Sequence, residues 1–175
     1  MARVLSSAVT SLEANAYLST QKAPHMMREV SGVVTPAADQ SASDFLHFCR
    51  VPSNAIVTQV MITAADATTG GAIDIGVWYK ADQPPLRTAP TTVIAGTAVD
   101  DDLFASAFDL AGGPYTNADV TYESGEYTLA ESEKPLWEVL GLSEDPNTDF
   151  DIASDITTVF NGGPTAIKLV VRYHL

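Results

Sequence analysis

The sequence predicts a mainly β protein: a β-sandwich or jelly-roll-like domain with two short helices in its connections and an extended N-terminal arm. Three observations carry this. Residues 72–79 and 167–173 place apolar side chains on one face at a period of two, the mark of half-buried strands. Turn clusters rich in Gly and Pro, such as Thr68-Thr69-Gly70-Gly71 and Asn161-Gly162-Gly163-Pro164, punctuate the chain between apolar runs. With 175 residues, 46% of them hydrophobic, the chain suits one domain that buries its own core without disulfides or a metal.

The elements follow in order. Residues 1–30 form an arm or an edge strand, dominated at first by Ser, Thr, Ala and Asn and punctuated by Pro24. The body spans 31–175. Met26 to Val34 is the first strand signal, closed by Pro36; Phe45 to Val51 is the second, stopped by the turn Pro52-Ser53-Asn54. Residues 56–63 and 72–79 are expected to pair as a hairpin across Gly70-Gly71. Residues 81–98 are a Pro-rich loop, stiffened by Pro84, Pro85 and Pro90. Asp100 is expected to cap a helix over 101–107, with Asp101 and Asp102 in its first turn. Val120-Thr121-Tyr122 is a minor strand candidate. Ser132 is expected to cap a second helix, with Pro135 near its start and Gly141 at its stop. Strands over 150–158 and 167–173 complete the body. Ile73, Ile75, Val77, Ile167, Leu169 and Val171 are the predicted core.

Charge excludes several partners. Nine Lys and Arg stand against 22 Asp and Glu, a net −13. A chain so acidic repels phosphate backbones and anionic lipid surfaces, so neither nucleic acid nor a membrane is expected. Residues 1–30 are the exception, with Arg3, Lys22 and Arg28 against Glu13 and Glu29. Cys49 is the only cysteine and sits in the apolar run Phe45–Cys49, where a buried, inert thiol is expected, along with a reducing compartment. The N-terminal apolar stretch is interrupted by Ser6, Ser7, Thr10 and Ser11, which argues against a secretory signal.

The search for chemistry yields no catalytic motif, no cofactor site and no metal site. Asp145 to Asp151 spaces oxygen donors like a calcium loop, but Phe150 stands where the sharp turn needs Gly and Ile156 where a bidentate Glu is needed. Asp100-Asp101-Asp102 is read as helix capping rather than cation binding. His25, His47 and His174 have no ligand partner at zinc spacing. Ser19-Thr20-Gln21-Lys22 lacks the companion elements of an acyl-enzyme hydrolase, and the Gly doublets are turns, not phosphate loops.

One series of segments resembles a family. Arg50-Val51-Pro52-Ser53-Asn54-Ala55, the following strand, the Thr-Gly-Gly turn and Ile73-Asp74-Ile75-Gly76-Val77 are similar to small structural proteins of tailed bacteriophages. So, in the same order, are Val99 to Ala107, Glu133 to Leu142 and Asp149 to Ile152. The resemblance covers about residues 45–175 and supplies no binding residues. It implies a virion protein of the decoration or cement type, made in the host cytoplasm and bound to the capsid surface. Its partners would be the major capsid protein and itself, as a homo-oligomer (trimer or dimer), with no enzymatic activity and no cofactor. A tail, neck or head-fibre component and a jelly-roll carbohydrate-binding module are the alternatives. Capsid or subunit contacts are expected from Val4, Leu5, Met26, Met27 and Arg28 in the arm and from Pro84 and Pro85 in the loop, because the arm lacks net negative charge and a stiff loop loses little entropy on docking.

Overall fold

The computed structural model describes residues 26–36, 45–65, 70–80, 98–159 and 166–175. Its eight strands are β1 (Arg28–Val34), β2 (Phe45–Pro52), β3 (Ile56–Ala64), β4 (Ala72–Tyr79), β5 (Ala98–Asp109), β6 (Tyr115–Asp119), β7 (Asp149–Thr158) and β8 (Ile167–His174). They form two four-stranded sheets, one ordered β1-β8-β3-β6 and the other β2-β7-β4-β5, with antiparallel pairing throughout. The predicted sandwich is therefore the fold.

The core lies between the inward stripes of the two sheets. Ile73, Ile75 and Val77 of β4 and Ile167, Leu169 and Val171 of β8 are all at most 1% exposed, as their period-two spacing predicts. Phe150, Ile152 and Ile156 of β7 join them, with Phe104 of β5 and with Tyr127 and Leu136 from the segment between β6 and β7. At one side the sandwich closes tightly. A Cβ on Gly32 of β1 would stand 1.9 Å from the Phe48 carbonyl oxygen of β2, so only glycine lets the two sheets meet there. The β2 register against β7 shifts between His47 and Cys49, so Phe48 and Cys49 both pack into the core.

The outer face of the first sheet carries a polar ladder across all four of its strands. Arg172 Nε of β8 donates to Glu29 Oε2 of β1 (2.9 Å), and its Nη1 donates to Gln59 Oε1 of β3 (3.1 Å). Gln59 Nε2 donates to Asp119 Oδ2 at the end of β6 (2.9 Å), whose Oδ1 accepts from Thr121 Oγ1 (2.5 Å). Burial pushes the Asp119 carboxyl up, but the bonds from Thr121 and Gln59 overcome it and hold that group below the ordinary range.

Four sequence expectations are corrected. The 56–63/72–79 hairpin does not form: β3 pairs with β8 and β6 in one sheet, while β4 pairs with β7 and β5 in the other. Each strand is apolar enough to be central, and the connection crosses between the sheets. The helix over 101–107 is instead the middle of β5. Leu103, Phe104 and Ala105 are needed in the core, and this burial overrides the capping signal of the Asp triplet. The strand at 120–122 lies just before that position, at Tyr115–Asp119. The helix over 132–141 shrinks to a 3-10 turn at Glu131–Glu133 and one helical turn, α1 (Leu136–Val139), capped by Pro135 rather than Ser132. The Leu136 and Trp137 N–H groups donate to the Ala55 and Ser53 carbonyls, which fastens α1 to the β2–β3 turn.

Replacing Ile75 by Ala removes a fully buried side chain from the centre of the core, so urea unfolding should show a loss of about 2–5 kcal/mol. A loss near zero would mean that Ile75 does not face the core.

Candidate functional site

The described residues bring together one group of side chains with the chemistry of a site, and it is built on β5. The β4–β5 register runs from Ile75↔Ala105 to Val77↔Asp100, so Asp101 to Phe104 have no opposite residue on β4. The bulged backbone lies over Gly76, where a Cβ would stand 2.1 Å from the Asp100 oxygen and 2.5 Å from the Asp101 carbonyl carbon. The connection after β6 takes up the freed backbone groups. Ser124 N donates to the Phe104 oxygen, Tyr127 N and Ser124 Oγ donate to the Leu103 oxygen, and Ser106 N donates to Glu123. Tyr127 anchors this connection. Its hydroxyl donates to the Val57 carbonyl of the facing sheet (2.6 Å), and its ring meets Phe104 edge-on at 5.1 Å. Burial pushes the Tyr127 hydroxyl well above the usual tyrosine range, so it remains a donor.

This scaffold carries Glu126 to Asp100 and Asp102, and carboxylate oxygens of the three lie within 4.8 Å of one another. Asp101 is exposed beside them. Burial, then Glu126 and Asp102, push the Asp100 carboxyl up to about 6, against the Asp102 N–H bond that favours the charged form. On the same side, Asp74 of β4 accepts from the Ala107 N–H (2.5 Å) where β5 adopts φ 51°. It stands directly across from Asp155 of β7, whose Oδ1 is buried without a hydrogen-bond partner. Burial is the first cause raising the Asp74 carboxyl, and Asp102, Asp101 and Asp155 add to it. Like charges set opposite each other destabilise a sheet. The arrangement stores repulsion that a proton or a cationic group would relieve.

Sequence reasoning noted the Asp100–Asp102 triplet but assigned it to a helix cap, and nothing in the sequence tied Glu126 to it. A signal was present in Val99-Asp-Asp-Asp-Leu103-Phe104, where apolar residues flank the acids as they do in a strand with an irregularity. Of the predicted contact residues, Val4, Leu5, Pro84 and Pro85 lie outside the described residues. Met26 and Met27 are 49% and 59% exposed, and Met27 Sδ accepts from Thr58 Oγ1 (3.3 Å). Arg28 opens β1 opposite Tyr173. The structure does not bring these three near the acidic cluster: they belong to the β1 edge of the other sheet.

Two further polar places are internally satisfied. Asp151, 4% exposed, accepts from Arg50 Nε (2.6 Å) and lies 3.0 Å from His47 Nε2, which gives the buried carboxylate its partners. Beside it, burial and then the Asp151 charge push the Cys49 thiol up to about 12, which suppresses the nucleophilic thiolate. The calcium-like segment spends its first oxygen on the chain itself: Asp145 Oδ1 accepts from Asn147 N and Ser53 Oγ. A shallow cleft of about 300 Å³ beside it is lined by Pro52–Asn54 and Asn147–Asp149.

No protein-family model matches the chain, and no curated protein does. Solved structures do. A chain in the capsid of Ralstonia phage GP4 matches over 87% of this chain and 86% of its own, at 12% identity and a TM-score of 0.52. Chains of the cyanophage Pam1 capsid asymmetric unit and of the acidic stable capsid of Helicobacter pylori bacteriophage KHP30 match with TM-scores of 0.38 and 0.37, at 16% and 14% identity. The first covers 87% of this chain and 87% of that one; the second covers 86% and 94%. At these identities the likeness is one of fold, and it rests on the GP4 chain.

Two predictions follow from the geometry. The folded state holds the Asp100 proton more tightly than the unfolded chain does, so ionising it costs stability. The penalty is absent below the ordinary Asp value of about 4 and complete above about 6. Asp100→Asn should therefore gain stability over the parent as pH rises from 4 to 7, read as a widening gap in urea midpoints; a constant gap would contradict the raised pKa. Gly76→Ala forces a methyl into backbone atoms of β5 and should cost about 1–3 kcal/mol or more. An unchanged melting curve would show that β5 does not rest on Gly76.

Proposed function

We propose that the chain is a non-enzymatic virion structural protein that binds the outside of a bacteriophage capsid and stabilises it, as a cement or decoration protein. The observation that carries this is the fold shared with a chain of the Ralstonia phage GP4 capsid over most of both chains. The chemistry supports it. The buried thiol is held protonated and the buried Asp151 is paired. A mainly β body held by a continuous core gives a rigid module, and the exposed Met26 and Met27 before β1 offer apolar contacts an isolated domain has little use for. In this reading the partners are the major capsid protein and further copies of the chain, and the contacts come from residues 1–30 and 81–98.

One observation favours a second reading, the carbohydrate-binding module. Tyr122 is 43% exposed and stacks on Tyr127 with ring centroids 5.9 Å apart, which leaves a ring face for a sugar. Tyr122→Ala separates the two: it should abolish glycan-array binding if the second reading holds and leave particle binding intact if the first does.

The direct test adds the purified chain to particles lacking it and measures bound copies and the temperature of genome release. The chain should bind in many copies per particle and raise that temperature; a variant without residues 2–25, folded by circular dichroism, should bind less. Absence of binding by the full chain would overturn the reading, and equal binding by the two would remove the arm from it.

A further inference from the structure

We infer that copies of this chain associate head to tail, the outer face of the β1–β8 strand pair of one copy docking on the carboxylate cluster of Asp100, Asp101, Asp102 and Glu126 of the next. The inference rests on the homo-oligomer part of the proposed function and names the surfaces involved.

The first surface is the outer face of the sheet ordered β1-β8-β3-β6. Val33 of β1, 64% exposed, stands directly opposite Lys168 of β8, which is also exposed. The Lys168 ammonium has no ion-pair or hydrogen-bond partner among the described residues. Beside this pair, Arg172 bonds Glu29 and Gln59, and Gln59 bonds Asp119. Lys168 and Arg172 thus match Glu29 and Asp119 on this face, in a chain of net −13, and on the β1–β8 pair itself the two cations stand against Glu29 alone. An apolar spot and an exposed cation on a strand pair without net negative charge form a docking surface for an anionic partner.

The second surface supplies the opposite charge. Asp100, Asp102 and Glu126 crowd their carboxylates within 4.8 Å of one another, with Asp101 exposed at the rim. Burial and mutual repulsion raise the Asp100 carboxyl. A cation arriving from outside relieves that repulsion, which strengthens its attraction beyond that of an isolated carboxylate.

The two surfaces cannot meet within one molecule. The β1–β8 face looks outward from one sheet, while β5 lies over the outer side of Gly76 in the other sheet. Copies of a strongly acidic chain repel each other in most orientations, and an orientation that sets Lys168 against the cluster has complementary charge. Different patches on the two partners make the contact heterologous, so it generates rings or open chains of copies rather than a simple two-fold pair.

The test is sedimentation velocity of the full chain at low ionic strength, with circular dichroism to confirm that each variant folds. The parent should associate, and raising salt to about 0.5 M should weaken the association, since pairs at a solvated interface are screened. Lys168→Glu should weaken it about tenfold or more, as should Asp101→Lys with Asp102→Lys. Joining the three substitutions in one chain restores the charge complementarity and should restore association. A parent that stays monomeric, or variants that weaken nothing, would overturn the inference, as would a combined variant no better than Lys168→Glu alone. Particle binding by a chain that does not self-associate counts against this inference alone. Self-association without particle binding counts against the capsid reading and leaves the inference standing.

Discussion

The contact between β5 and Gly76 is the constraint on which the rest of this structure depends. Because Gly76 has no side chain, the backbone of Asp100 and Asp101 can lie directly on β4. That approach forces the register jump, and the jump leaves Asp101 to Phe104 without a partner strand. Unpaired backbone in a half-buried strand must be satisfied, so the connection after β6 is recruited to Leu103 and Phe104. Tyr127 then fixes that connection to Val57 in the opposite sheet. One missing methyl group thereby links the two sheets and decides where Glu126 sits.

Charge is distributed by the same logic. The first sheet spaces its outer-face acids along a ladder that touches all four of its strands, while the second gathers acids against each other around β5. Buried and half-buried acids meet different fates. Asp151 has the Arg50 guanidinium as its charge partner and lies against His47; Asp100 and Asp74 have their carboxyls raised by burial and by neighbouring acids. Crowded acids of this kind lower stability, and proteins retain such strain where it serves recognition.

Period two made β4 and β8 legible, down to the inward position of all six predicted core residues, because both strands pack one stripe against the opposite sheet. Pairing was not legible. The turn at Gly70-Gly71 reads as a hairpin whether the chain returns to the same sheet or crosses to the other, and only the competition among partners decides. The Asp100–Asp102 triplet read as a helix cap because capping is local, whereas the need for Leu103 and Phe104 in the core is not. The acidic cluster was half legible: the triplet is visible, but Glu126 reaches it only through a loop anchored by Tyr127. The ladder from Glu29 to Asp119 joins residues from four strands, and no local pattern announces it.

The chain shares its fold with a chain of a phage capsid, and the proposed role is one carried by surfaces. The most direct measurement of the proposed role is a cryo-electron microscopy reconstruction of phage particles assembled with this chain present, at a resolution that separates strands. The account predicts ordered, repeated density for the two-sheet body on the outer surface of the shell, in contact with the major capsid protein. Density for the body confined to the tail or neck, or a complete shell with none of it, would contradict the account.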